Sequence, residues 1–158
     1  MLLTNVKKSS IIMAIVTTLV LLFALTFGTT QVHAAQSKGQ TAATYAKKLV
    51  NKPYKWGGTT TKGFDASGFT QYVYSKSLKV KLSRTSVSQY KAGKSVAKNK
   101  LQPGDLVFYK TSGKNISFVG IYIGKNQFIG ATSKGVRIQS MDASYWKKLY
   151  VGAKRVVN

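Results

Sequence analysis

The spacing of apolar residues along this chain changes character twice. From Ile11 to Phe27 the run is apolar apart from Thr17, Thr18 and Thr26. Further on, Ala42, Ala43, Ala46, Leu49 and Val50 recur at helical spacing, which predicts a helix that stops before Pro53. Asp65 to Ser77 predicts a second helix, with Phe69, Tyr72 and Val73 on one face and Ser67 near its start. Past residue 100 the pattern shortens. Leu101-Gln102-Pro103-Gly104-Asp105 predicts a turn and Leu106-Val107-Phe108-Tyr109 a strand. Three more strands are expected at Val119–Ile123, Gln127–Ala131 and Val136–Gln139, separated by Gly124-Lys125-Asn126 and Ser133-Lys134-Gly135. Helices followed by neighbouring strands predict an α+β domain, with N-terminal helices packed on a small antiparallel sheet.

The first apolar run has a different meaning from the rest. Lys7 and Lys8 precede it, and Val32-His33-Ala34 supplies small residues at the spacing of a cleavage site. This three-part layout predicts a secretory signal peptide over 1–34, a short polar lead over 35–40 and one domain over 41–158. No other segment is apolar enough for a second span, so a soluble product in the secreted or cell-wall compartment is expected, without stable membrane insertion after cleavage.

Composition narrows the chemistry. The chain holds 25 Lys and Arg against 3 acids, all aspartates, for a formal charge of +22. The lysines are scattered and arginine is scarce, which argues against a nucleic-acid reader and favours anionic cell-wall polymers as a partner. Cysteine is absent, so the fold rests on its core without disulfides. His33, the only histidine, falls in the signal segment. Dispersed aspartates without His or Cys cannot build the usual metal ligand sets, so neither metal nor other cofactor is expected.

Several blocks share one resemblance. Pro53-Tyr54-Lys55-Trp56-Gly57-Gly58 and Gly63-Phe64-Asp65-Ala66-Ser67-Gly68-Phe69 come first, followed by Leu82-Ser83-Arg84-Thr85-Ser86, Leu101 to Phe108, Ile116 to Gly124 and Phe128 to Ala131. In content and order they resemble the NlpC/P60 family, bacterial hydrolases that cut peptidoglycan stem peptides. The resemblance implies a papain-like α+β core in which a helix bearing a nucleophilic cysteine packs against a sheet bearing a histidine base. It places Ala66 at the nucleophile, Phe118 at the base and Gly130 at the residue that orients the base. None of these three residues carries a heteroatom side chain. It also implies that Tyr54, Asp65 and Ser67 hold the amino terminus of the stem peptide, although Asp65 could equally cap the second helix and Tyr54 fill the core.

The expectation from these residues is a non-enzyme: a secreted binder of peptidoglycan fragments or anionic wall polymers, or a modulator of a wall hydrolase, that does not cleave. The alternative is an active peptidoglycan endopeptidase with non-standard catalytic residues. In that case Ser67 would be the hydroxyl to remove, with Lys55 or Lys62 conceivable as a base.

Overall fold

The computed structural model describes residues 36–157. The expected signal segment, with its cleavage site, lies outside the described residues.

The first helix, α1 (Lys38–Lys47), begins inside the stretch expected to be a polar lead. The Ser37 hydroxyl accepts from the Gln40 backbone N–H, so a capping residue starts the helix before the first alanine of the apolar stripe. Ala42, Ala43 and Ala46 form its buried face. The helix also stops earlier than the apolar spacing suggests, and Asn51 takes up a left-handed conformation at φ 71° before Pro53. A small ribbon follows, β1 (Thr59–Thr60) against β2 (Gly63–Phe64).

Helix α2 (Ala66–Leu78) matches the second expected helix within a residue at each end. Asp65 is its N-cap, and Lys79 closes it in the left-handed region at φ 59°. Two short elements that the apolar pattern does not reveal come next, α3 (Ser86–Lys91) and β3 (Lys94–Val96). The four expected strands are present as β4 (Leu106–Tyr109), β5 (Phe118–Gly124), β6 (Gln127–Thr132) and β7 (Gly135–Ser140). Lys125 and Asn126 join β5 to β6 with φ of 53° and 52°, the left-handed pair that a two-residue hairpin turn requires. The chain then forms α4 (Ser144–Leu149) and β8 (Tyr150–Arg155).

The main sheet is antiparallel, six-stranded and ordered β3-β8-β4-β5-β6-β7, so β8 lies between two earlier strands. β4 is buried along its whole length, which explains its continuous apolar run. α2 packs across β5 and β6, and α1 packs on α2 and β5.

Polar contacts hold the C-terminal strand in place. The Arg155 guanidinium donates to both oxygens of Asp105, at 2.7 and 2.8 Å, and Asp105 also accepts from the Gln102 N–H at 2.8 Å. Asp105 is only 2% exposed, so this bidentate pair supplies the compensation that a buried carboxylate needs. Next to it the Tyr74 hydroxyl donates to the Gly104 carbonyl. Burial and then the charge of Asp105 push that hydroxyl's pKa up, which keeps it protonated as a donor.

Candidate functional site

The N-terminus of α2 opens into a cleft of about 1310 Å³. One wall comes from the loop of Tyr54, Trp56 and Gly57 and from Asp65, Ala66 and Ser67, the other from Phe118, Tyr145 and Trp146. The loop can approach the helix this closely because of glycine. A Cβ on Gly68 would sit 2.1 Å from the Gly58 carbonyl oxygen, which itself accepts from the Asp65 N–H at 3.0 Å. Gly57, at φ 72°, makes the turn that presents Trp56 to solvent with 86% of its surface exposed.

Polar groups at the cleft floor are tightly linked. Asp65 Oδ1 accepts from the Gly68 N–H at 2.7 Å, capping α2, and from the Ser67 hydroxyl at 3.3 Å. Arg84 donates to Oδ1 at 3.1 Å and to Oδ2 at 2.5 Å, and also to Ser67 Oγ at 3.0 Å. The hydrogen bonds to Asp65 raise the Arg84 pKa, opposed by a smaller cost of burial. Beneath them Gln89, 1% exposed, donates to the backbone carbonyls of Ser67 and Ser83 and accepts from Thr70. This amide ties the start of α2 to the Arg84 loop.

Tyr54, Asp65 and Ser67, expected as the ligand-binding trio, therefore share one cleft. Asp65 does cap its helix, and its charge is balanced by Arg84, so any role in ligand binding is shared with that guanidinium. Arg84 and Gln89 are the two site residues that the sequence did not single out. The available signal was charge: Asp65 has no acidic neighbour to share its surroundings with, and a partly buried carboxylate calls for a cation.

Of the three positions expected from the resemblance to correspond to catalytic residues, Ala66 and Phe118 line the cleft and Gly130 does not. Phe118 packs against Trp146 with ring centroids 5.0 Å apart and against Tyr109 and Phe128 at 6.1 Å. Gly130 lies under this ring, and a Cβ there would be 2.6 Å from Phe118 Cζ. The two residues are thus complementary, a full aromatic ring beside a missing side chain. Gly130→Ala is expected to cost about 2 kcal/mol through overpacking, and less than half of that in a Phe118→Leu background. Denaturant unfolding of the two pairs of proteins measures this coupling.

A helix that opens its N-terminus into a cleft against an antiparallel sheet defines a papain-like α+β domain. The NlpC/P60 family model matches residues 51–155, and the chain belongs to this family. It is 53% identical over 111 residues to the probable peptidoglycan endopeptidase LytE of Bacillus subtilis strain 168, covering 70% of this chain and 32% of that protein. It is 46% identical over 106 residues to the murein DD-endopeptidase/murein LD-carboxypeptidase MepS of Escherichia coli K12, covering 66% of this chain and 56% of that one. The solved NlpC/P60 domain of peptidoglycan hydrolase SagA superposes with a TM-score of 0.65 at 30% identity, covering 74% of this chain and 97% of that domain. The chain thus spans between about a third and just over half of these two curated relatives.

These relatives overturn one expectation. Missing heteroatoms at Ala66, Phe118 and Gly130 led to a non-cleaving binder, a non-enzyme, yet proteins about half identical to this chain are named endopeptidases. That expectation treated Ser67 as a hydroxyl without an activating partner, and it did not foresee Arg84, which contacts both Asp65 and Ser67.

Proposed function

We propose that the chain is a peptidoglycan hydrolase that works outside the cytoplasmic membrane and cuts peptide bonds of stem peptides with the Ser67 hydroxyl as nucleophile. The observation that carries this reading is the setting of Ser67 in the cleft, with Asp65 at 3.3 Å to accept its proton and Arg84 at 3.0 Å to stabilise the developing alkoxide. The N-terminal end of α2 adds a positive potential at the same point. Further support comes from relatives whose names place their activity on peptidoglycan or murein.

In the proposed reaction, Ser67 Oγ adds to the carbonyl carbon of the scissile bond and its proton passes to Asp65. That proton then leaves with the departing amine, and water hydrolyses the resulting ester to free the serine. Tyr54, on the same wall, offers a phenol to position the peptide, so that Tyr54, Asp65 and Ser67 hold the ligand together. Anionic wall polymers would keep the basic protein near this substrate.

The test is digestion of intact sacculi and of L-Ala-γ-D-Glu-diamino-acid peptide by the full chain, followed by mass spectrometry. New peptide termini are expected. Substrate recovered whole after prolonged incubation at high protein concentration would overturn the hydrolase reading.

A further inference from the structure

A second surface shares no residue with the cleft. Residues 91–100 carry Lys91, Lys94, Lys98 and Lys100, all exposed, and no acid. The pairing of β3 with β8 sets Lys94 opposite Arg155 and Ser95 opposite Lys154. Lys154 Nζ donates to Ser95 Oγ at 2.9 Å and lies 4.9 Å from the centre of the Tyr90 ring, while Lys98 Nζ lies 5.5 Å from that of Tyr150. Arg155 in turn donates to the Lys100 carbonyl at 3.2 Å. Side-chain alternation sets Lys94 on one face of the β3–β8 pair and Lys154 on the other, so the cations flank this sheet edge on both sides.

Among the described residues no carboxylate pairs with these lysines, and both ion pairs belong to arginines, Arg84 with Asp65 and Arg155 with Asp105. The acid next to this edge, Asp105, is therefore fully used by Arg155. The lysines themselves remain as unpaired cations whose counter-ions are free to be released.

Arginine's planar fork suits bidentate pairing with a carboxylate or a phosphate, but the fork of Arg155 is already turned onto Asp105. What remains is a set of ammonium point charges, a kind of group that binds phosphate oxygens, and the carboxylate arm of the experiment below separates phosphate from carboxylate. A lipid surface would also want apolar side chains to insert. The large exposed hydrophobic residues Trp56, Val87 and Tyr145 line the cleft, and Ile138 lies on β7 at the opposite edge of the sheet.

We propose that the β3–β8 edge, with Lys91, Lys94, Lys98, Lys100 and Lys154, binds a soluble linear polymer with repeated phosphodiester charges. Because none of these residues lines the cleft, polymer and peptide can be held at once. Binding at this edge then raises the local concentration of whatever substrate is attached near the polymer.

The experiment titrates the full chain with synthetic poly(glycerol phosphate) at several salt concentrations. Polyglutamate and phosphatidylglycerol vesicles serve as the carboxylate and lipid arms. A variant with Lys94→Gln, Lys98→Gln and Lys100→Gln is compared with one of equal charge loss elsewhere, Lys76→Gln, Lys79→Gln and Lys81→Gln. The expected result is at least tenfold weaker binding for the edge variant, a salt slope shallower by about two, and less than threefold loss for the other. Equal loss in both variants, or stronger binding to vesicles or to polyglutamate, would overturn the proposal. The readout is binding alone, so the outcome is independent of whether the cleft cuts peptides.

Discussion

Ser67→Ala is expected to lower kcat/KM for stem-peptide cleavage by roughly a thousandfold or more, since loss of a nucleophile usually removes nearly all covalent catalysis. The same change is expected to leave stability within about 1 kcal/mol of the parent, because it removes only hydrogen bonds to Asp65 and Arg84. Asp65 keeps the Gly68 N–H and both Arg84 contacts, so α2 remains capped. Activity and folding should therefore separate cleanly. Ser67→Cys provides the complementary case. A thiol at a helix start next to Arg84 is driven toward thiolate, so cleavage by this variant should persist and become sensitive to alkylation. Steady-state rates with peptide, read beside denaturant unfolding, decide the matter. Cleavage that survives Ser67→Ala undiminished would move the nucleophile to another residue.

Gly68→Ala is expected to destabilise the protein by about 3–4 kcal/mol. The added carbon meets a backbone oxygen, that of Gly58, at 2.1 Å, and Asp65 Oδ1 at 2.9 Å. A flexible side chain could swing away, but a carbonyl that already accepts from the Asp65 N–H cannot. Relief would have to come from separating the loop of residues 54–58 from α2. That movement opens the wall bearing Tyr54 and weakens the setting of Asp65 and Ser67. Chemical denaturation should register the loss of stability, and peptide affinity should fall along with it. A stability change below about 1 kcal/mol would mean that the loop yields far more easily than its hydrogen bonds suggest.

The legible parts of this chain were those with local signals. α2 and the strands β4 to β7 were predicted nearly to the residue because their apolar periods and their turns, Lys125-Asn126 above all, are written in neighbouring positions. α3, β3, α4 and β8 were missed. Each is six residues or fewer, and β3 and β8 exist by pairing with strands remote in sequence. The start of α1 was misplaced because the cap, Ser37, is polar and precedes the alanine stripe.

The site divides in the same way. Tyr54, Asp65 and Ser67 were named from motif blocks and meet in one cleft. Arg84 reaches them only through tertiary structure, 19 positions from Asp65. The fit between Phe118 and Gly130 was equally hidden, since nothing in either residue alone announces that one ring fills the space left by the other. The inference from missing heteroatoms to missing activity failed at this point.

The position of β8 also governs how the molecule can be assembled. Both of its neighbours, β3 and β4, come earlier in the chain, and both wait with open edges until residues 150–155 arrive between them. As the polypeptide is synthesised, the sheet cannot close strand by strand. It closes in one late step, sealed when Arg155 reaches Asp105. A chain cut before this strand would leave two unsatisfied edges in the middle of its sheet, and these would invite pairing with other copies. Quality control of this protein thus rests on its last strand, and proteolysis there should be far more destructive than a nick in the turns between β5 and β7.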